Sequence, residues 1–186
     1  MTDQSLAPHS VGSLLILGGA RSGKSRYAQS LAEASGKTPV LIATATAGDE
    51  EMAQRIAKHR AERGAHWRVV EEQIDIAEVL RRETAPDRLL VVDCLTLWLS
   101  NLVLGSKDIE AHCEALAQAV PTLSGPVIFV SNEVGLGIVP ENALGREFRD
   151  AQGRLNQALG AVCEAVVFVA AGLPLRLKPE LVTLRL

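Results

Sequence analysis

The chain has 186 residues, of which 47% are hydrophobic and only 3% aromatic, and its formal net charge is −3. This length suits one domain with a core of leucine, valine, isoleucine and alanine. Phosphate backbones are bound by a basic field, which a net negative chain does not provide. We therefore expect no nucleic-acid partner.

The N-terminus lacks the basic and apolar regions of a signal peptide, and residues 1–12 are predicted to be a flexible leader before a single domain at 13–186. The most apolar window, 89–104, is interrupted by polar residues and predicts a strand followed by a helix, not a membrane span. The chain has three widely spaced cysteines, Cys94, Cys113 and Cys163. Their odd number and spacing match neither a disulfide framework nor a zinc motif, so we expect the protein to reside in the reducing cytoplasm.

Strands and helices alternate along the chain. Short apolar runs predict strands at 14–17, 40–43, 89–92, 127–130 and 166–170, with a further edge near 176–186. Helical spacing predicts helices at 24–34, 50–63, 76–82, 95–104, 109–120 and 144–164. Strands that are apolar throughout indicate an α/β fold, in which helices cover both faces of a mostly parallel central sheet.

Residues 18–25 match the P-loop pattern G-x-x-x-x-G-K-[ST] between a predicted strand and a predicted helix. Backbone N–H groups of such a turn and the positive end of the helix dipole bind phosphates. Lys24 can reach the terminal phosphates, and the Ser25 hydroxyl can bind Mg²⁺. The pattern therefore predicts a P-loop NTPase fold and a triphosphate site formed by Gly18, Gly19, Ala20, Arg21, Ser22, Gly23, Lys24 and Ser25.

Two further features border this predicted site. Asp93 ends the third predicted strand, where P-loop enzymes place a carboxylate that helps to hold Mg²⁺. The alternative is that Asp93 caps the helix that follows it. Residues 131–142 form a loop directly after the fourth predicted strand, and ligands of open α/β sheets bind outside such strand ends.

His59 lies on the predicted helix at 50–63, among Arg55, Arg60 and Arg63. Nearby cations disfavour the protonated imidazole, and a neutral imidazole is what nucleophilic attack needs. The same cations could bind phosphate groups. A single histidine on a half-apolar helix face is also a common structural residue, so both interpretations of His59 stay open at this point.

Together these segments resemble the bifunctional adenosylcobinamide kinase / adenosylcobinamide-phosphate guanylyltransferase family of cobalamin biosynthesis. The resemblance covers essentially the whole chain after the leader. Its most specific pieces are Gly-Gly-Ala-Arg-Ser-Gly-Lys-Ser at 18–25, Asp-Glu-Glu-Met-Ala-Gln-Arg-Ile at 49–56, Asp-Cys-Leu-Thr at 93–96, Asn-Glu-Val-Gly at 132–135 and Phe-Arg-Asp at 148–150.

The resemblance implies that the enzyme phosphorylates adenosylcobinamide with ATP or GTP. It also implies transfer of GMP from GTP, through a guanylyl-histidine, to give adenosyl-GDP-cobinamide and pyrophosphate. The histidine of the family maps onto His59; some relatives carry a second histidine where this chain has Lys58. Some relatives carry Glu at the position of Asp93, so the carboxylate of this chain extends less far from the backbone and keeps the same charge. The implied site comprises catalytic Lys24, His59 and Asp93, a metal site at Ser25 and Asp93, and further nucleotide contacts at Thr44, Ala45, Thr46 and Glu71. The charges of the helix that carries His59 add Arg60 and Arg63 to the predicted nucleotide contacts.

The implied partners are a corrinoid, nucleoside triphosphates with Mg²⁺, and further copies of the chain in a homotrimer. Two other classes remain possible from the sequence. One is a P-loop kinase of another small molecule, with His59 structural. The other is a nucleotide-dependent binding module, which would bind GTP without a small substrate that stimulates its hydrolysis.

Overall fold

A computed structural model describes residues 11–45, 64 and 66–179. The seven strands found there are β1 (Ser13–Leu17), β2 (Thr38–Ala43), β3 (Arg68–Glu71), β4 (Arg88–Asp93), β5 (Val127–Val130), β6 (Ala165–Ala170) and β7 (Leu173–Lys178). The helices found there are α1 (Lys24–Ala34), α2 (Ile76–Glu83), α3 (Leu95–Leu104), α4 (Ile109–Ala119) and α5 (Ala143–Val162), with a short 3₁₀ turn at Val120–Thr122.

The strands form one sheet in the order β3-β2-β4-β5-β1-β6-β7. Every pair is parallel except β6 with β7, which is antiparallel. The carboxyl ends of β1 to β6 therefore meet at one edge of the sheet, which is where ligands bind in open α/β folds. The predicted α/β class and mostly parallel sheet are confirmed.

Alternate residues along each central strand bury into two separate cores. In β1, Leu15 faces the core that packs against α2, α3, α4 and α5, whereas Ile16 faces the core that packs against α1. Both side chains are fully buried. This burial on two faces explains why the central strands are apolar at every position, without the polar alternation of a half-exposed sheet.

The predicted elements differ from the structure in two places. β3 was missed, so Asp93 ends the fourth strand and not the third. The last edge strand begins at Leu173, before the predicted start, and 180–186 lie outside the described residues. The predicted helix at 50–63 also lies outside them, whereas the other helices begin and end within two residues of their predicted limits. The boundary between leader and domain at residue 13 stays a prediction.

An ion-pair cluster holds the missed strand in place. Glu83 on α2 is buried, and its carboxylate accepts hydrogen bonds from Arg68 of β3 at 3.0 Å and from Arg88 of β4 at 3.2 Å. A buried carboxylate is stable only when it is paired in this way. The charged residue at the start of β3 therefore helps to hold the strand in place. The charged ends also explain why the sequence shows no apolar run there.

Candidate active site

The loop between β1 and α1 takes the conformation that its glycines allow. Gly18 and Gly23 have positive φ angles of 149° and 102°, and an added Cβ on Gly18 would lie 2.3 Å from the carbonyl oxygen of Val169. No side chain fits at that position without moving β6. The spacing of glycines in the motif is therefore required by the backbone of the loop and by its contact with β6.

Lys24 is the first residue of α1 and is buried. Its ammonium donates a hydrogen bond to the carbonyl of Gly19 at 2.7 Å, across the loop. Burial lowers the pKa of Lys24, while the negative charges of Cys94 (when ionised) and Asp93 act in the opposite direction. A phosphate bound next to this buried ammonium would stabilise its charged form. In the same loop, Ser22 Oγ is buried and accepts or donates no hydrogen bond among the described residues.

Asp93 is the last residue of β4, and the strand order places it two strands from the P-loop strand, with β5 between them. The pairing puts Asp93 level with Val130 of β5, and Val130 level with Ile16 of β1. The residue that caps α3 is Cys94, so the alternative assignment of Asp93 as the helix cap is not what the structure has. The carboxyl ends of β1 and β4 are therefore two strand spacings, or about 10 Å, apart. A ligand at this edge of the sheet can contact both the P-loop and Asp93.

A buried hydrogen-bond network fixes the backbone next to Asp93. The Thr44 hydroxyl donates to the carbonyl of Cys94 at 2.7 Å and accepts from its N–H at 3.0 Å. The side-chain amide of Asn101 donates to the Thr44 carbonyl at 2.8 Å. Burial is the main cause that raises the pKa of the Cys94 thiol to about 11, and the charge of Asp93 adds to it. Cys94 is therefore a neutral thiol at physiological pH.

The loop at 131–142 lies against the P-loop, as predicted. The N–H of Glu133 donates to the carbonyl of Gly18 at 3.0 Å, and the N–H of Asn132 donates to the Thr96 hydroxyl at 2.9 Å. On α5, the Asn156 side chain donates to the carbonyl of Asn132 at 3.1 Å. The start of this loop is thus tied to the P-loop, to α3 and to α5.

Two contributors to this arrangement were missed from the sequence. The first is a buried polar cluster in which Gln152 donates to the Ser131 hydroxyl at 3.0 Å and Ser131 donates to Asn156 at 2.7 Å. The second is the turn between β6 and β7, where the N–H of Gly172 donates to the carbonyl of Ser22 at 2.8 Å. Both supports depend on contacts between distant segments, and the only available signal was a pair of polar residues four apart on a predicted helix.

The other predicted site residues fall into two groups. Ala45 follows β2 beside Thr44, and Glu71 ends β3, four strand spacings or about 19 Å from β1. Thr44 is fully buried, so its hydroxyl serves the network around Cys94. The second group lies outside the described residues: Thr46, His59, Arg60 and Arg63.

The described side chains can hold Mg²⁺ only together with a ligand. No group of three or more histidine, cysteine, aspartate or glutamate residues gathers in the described ranges. Ser25 and Asp93 offer a hydroxyl and a carboxylate, which are the oxygen donors that Mg²⁺ prefers. Such a pair fits an ion whose other ligands are phosphate oxygens and water, as in P-loop enzymes.

Residues 14–177 match the protein family described as cobinamide kinase / cobinamide phosphate guanyltransferase. The chain belongs to this family. The cobinamide kinase / guanyltransferase family is the one that the motifs resembled, so that prediction is confirmed. The prediction of a bifunctional transferase of cobalamin biosynthesis is confirmed with it.

Two relatives of the family match along nearly their full length. The bifunctional adenosylcobalamin biosynthesis protein CobP of Pseudomonas aeruginosa is 53% identical over 168 residues, covering 89% of this chain and 97% of that protein. The corresponding protein CobU of Escherichia coli K12 is 38% identical over 180 residues, covering 89% of this chain and 99% of that protein.

Solved structures of low sequence identity share the fold. An ATPase of a bacterial type III secretion system matches with a TM-score of 0.56 and 12% identity, covering 89% of this chain and 57% of that one. The flagellar accessory protein FlaH of Methanocaldococcus jannaschii matches with a TM-score of 0.51 and 13% identity, covering 91% of this chain and 79% of that one. The predicted P-loop NTPase fold is confirmed. No helix within the described part of the chain is long and apolar enough to cross a membrane.

Proposed function

We propose that this chain phosphorylates adenosylcobinamide with ATP or GTP and then transfers GMP from GTP to the phosphorylated product through His59. The observation that carries the proposal is the placement of the buried Lys24 and the partly buried Asp93 on either side of the carboxyl end of β5, in a chain that belongs to the cobinamide kinase / guanyltransferase family. Both transfers occur at phosphorus and require charge neutralisation and alignment.

In the kinase step, the P-loop amides and Lys24 bind the triphosphate and neutralise the charge that develops on it. Mg²⁺, when bound by Ser25 and Asp93, supplies further positive charge to the phosphate oxygens. The aminopropanol hydroxyl of adenosylcobinamide attacks the γ-phosphorus, and the nucleoside diphosphate leaves. No side-chain nucleophile takes part, so this step is independent of His59.

In the guanylyl step, neutral His59 attacks the α-phosphorus of GTP. A nitrogen–phosphorus bond forms, the bond between the α-phosphorus and the bridging oxygen breaks, and pyrophosphate leaves. A phosphate oxygen of adenosylcobinamide phosphate then attacks the same phosphorus. The nitrogen–phosphorus bond breaks, adenosyl-GDP-cobinamide is released, and His59 is restored.

The remaining nucleotide contacts belong to the same proposal. We propose that Ala45, Thr46 and Glu71 lie near the nucleotide, by resemblance, and that Arg60 and Arg63 bind phosphate through their charge. Thr44 supports the backbone beside Asp93. Glu71 is far from the P-loop strand, so it would serve the nucleoside end of the ligand and not its phosphates. A homotrimer in the cytoplasm, without a nucleic-acid partner, completes the proposal.

Intact-mass measurement after incubation with GTP and Mg²⁺ tests the role of His59. We expect a GMP adduct on the wild type that is lost in acid, and no adduct on His59→Ala. The matched control is His66→Ala, because His66 is an exposed histidine of the same chain; it should form the adduct normally. The kinase step should survive in His59→Ala.

Peptide mapping of the adduct separates the rival functions. GMP on Lys58, or an adduct that persists in His59→Ala, would show that His59 is not the nucleophile. Absence of any adduct in the wild type, with phosphorylation of a different small molecule, would favour a P-loop kinase of another specificity. GTP hydrolysis that no small substrate stimulates would favour a nucleotide-dependent binding module.

A further inference from the structure

The loop at 131–142 carries the two most exposed large apolar side chains of the described residues, Ile138 and Leu136, and a third exposed one, Val139. Ile138 is 98% exposed, Leu136 82% and Val139 59%. A leucine or isoleucine left in water forgoes a burial free energy that a binding partner can recover. We call residues 134–139 the apolar tip.

The apolar tip is held firmly at both of its ends. At its start, Glu133 donates through its N–H to Gly18 of the P-loop, as described above. At its far end, the Arg146 guanidinium donates to the carbonyls of Pro140 at 3.0 Å and Glu141 at 2.6 Å. The side chain of Asn142 caps α5 by accepting from the N–H of Gly145 at 2.6 Å. The tip is thus displayed next to the nucleotide loop from fixed supports.

The charge pattern of the tip makes it a poor surface for phosphate groups. Residues 134–140 read Val-Gly-Leu-Gly-Ile-Val-Pro, without a charge, and the acidic residues Glu133 and Glu141 flank them. Acidic flanks repel phosphate groups. A ligand that suits this surface is large, presents apolar groups and carries no negative charge where it touches the tip.

We propose that Leu136 and Ile138 bind the corrinoid acceptor and position its hydroxyl or phosphate toward the P-loop. A corrin ring carries methyl groups and uncharged amide arms around its edge, which suits the apolar tip between acidic flanks. The backbone hydrogen bond from Glu133 to Gly18 places this surface beside the P-loop, where the acceptor must react with the triphosphate. The inference rests on the proposed function, because it assumes that a corrinoid is the acceptor.

The test compares Leu136→Ser and Ile138→Ser, singly and together, with wild type. We expect the KM for adenosylcobinamide in the kinase step to rise about tenfold for each substitution, as the loss of one buried aliphatic side chain implies. The KM for the triphosphate and the amount of GMP adduct formed from GTP alone should stay unchanged. Neither of these readouts requires the acceptor.

The matched control is Leu104→Ser. Leu104 is also highly exposed, at 75%, but it lies at the far end of α3. This helix begins after β4 and is about 15 Å long, so Leu104 lies away from the carboxyl end of β4. We expect this variant to keep all constants of the wild type. Light scattering of every variant examines the competing occupant, a second copy of this chain. A change of oligomeric state in the tip variants would overturn the proposal in favour of a subunit contact.

Direct titration of the protein with adenosylcobinamide, at saturating non-hydrolysable GTP analogue, separates this inference from the proposed function. Weaker corrinoid binding in the tip variants supports the inference even where turnover is absent. Unchanged corrinoid binding and KM in the double variant would overturn it while leaving the reaction intact. A wild type that does not bind the corrinoid at all would overturn both.

Discussion

Burial destabilises the charged form of Lys24 in the nucleotide-free protein, so its removal should affect nucleotide binding more than stability. Burial lowers its pKa, so the charged form is disfavoured until a phosphate is present. Lys24→Met should therefore weaken triphosphate binding by at least about tenfold, the loss expected for one hydrogen bond to a charged group. Its unfolding free energy without nucleotide should not fall. Unchanged affinity for GTP, measured by titration calorimetry on the folded variant, would refute the assignment of the P-loop lysine.

Asp93 should act through the metal. In Asp93→Asn, one carboxylate ligand or hydrogen-bond acceptor becomes a weaker amide, so activity should fall most at limiting Mg²⁺ and recover partly at saturating Mg²⁺. The measurement is the initial rate of corrinoid phosphorylation over a series of Mg²⁺ concentrations. Glu110→Gln, an exposed acid in the first turn of α4, is the control and should match the wild type. A loss that is equal at every Mg²⁺ concentration would instead favour a role in orienting the acceptor hydroxyl.

At the scale of elements, the P-loop is locked to β6, and two neighbouring glycines should respond differently. An added Cβ on Gly18 meets the Val169 carbonyl oxygen at 2.3 Å, whereas on Gly19 it meets no atom within 4 Å. Gly18→Ala should therefore lower the unfolding free energy by about 1–3 kcal/mol, the range for an overpacked site. Gly19→Ala should change it little. Urea unfolding without nucleotide measures both, and similar midpoints for the two variants would contradict the close contact with β6.

Elements were predictable from the sequence where their own residues carry the pattern. Helices such as α1 show apolar residues at helical spacing, and central strands such as β4 are apolar throughout. β3 was not predictable, because only Val69 and Val70 are apolar and its ends are charged. Its position depends on the pairing of Arg68 with Glu83 from another element. Such contacts between distant segments leave no periodic signal in the chain.

The same distinction applies to the candidate site. Lys24, Ser25 and Asp93 stand out because a motif or a strand end marks each of them. The supports of the site do not stand out, since Gln152 and Asn156 look like ordinary polar residues of a helix until α5 packs against the segment that follows β5. Gln152 is fully buried, with its carbonyl oxygen lacking a hydrogen bond among the described residues. Only the assembled fold shows that this pair secures the loop beside the P-loop.

At the scale of the whole molecule, the parallel sheet gathers residues that are far apart in the chain at one edge. Gly18 follows β1, Asp93 ends β4, and Asn132 follows β5, and β5 lies between the other two strands. The loop after β5 therefore faces both the P-loop and the carboxylate. This arrangement lets a single chain hold a triphosphate in the centre and an acceptor beside it, which both proposed transfers require.

Cys163 is buried, Cys94 and Cys113 are partly buried, and their reactivity provides a measure of this assembled state. Burial raises the pKa of Cys94 and Cys113 to about 11, and that of Cys163 to about 12, from an ordinary 9.0. At pH 8 the thiolate fraction of Cys94 should thus fall from about one tenth to about one thousandth on folding. Alkylation by iodoacetamide should be at least about a hundredfold slower in the native protein than in urea. Equal alkylation rates in the two states would contradict the raised pKa values of these thiols.

The raised pKa values of these thiols also fix the direction of a pH effect on stability. Folding favours the protonated thiols, so their contribution is fully present below pH 9 and is lost as the pH rises toward 11 to 12. The unfolding free energy should therefore fall over this range. The lowered pKa of Lys24 acts in the opposite direction, because deprotonation of that residue favours the folded state. Cys163→Ala should flatten the decline in denaturant titrations between pH 8 and 11, and an equally steep decline in that variant would show that Cys163 is not its source.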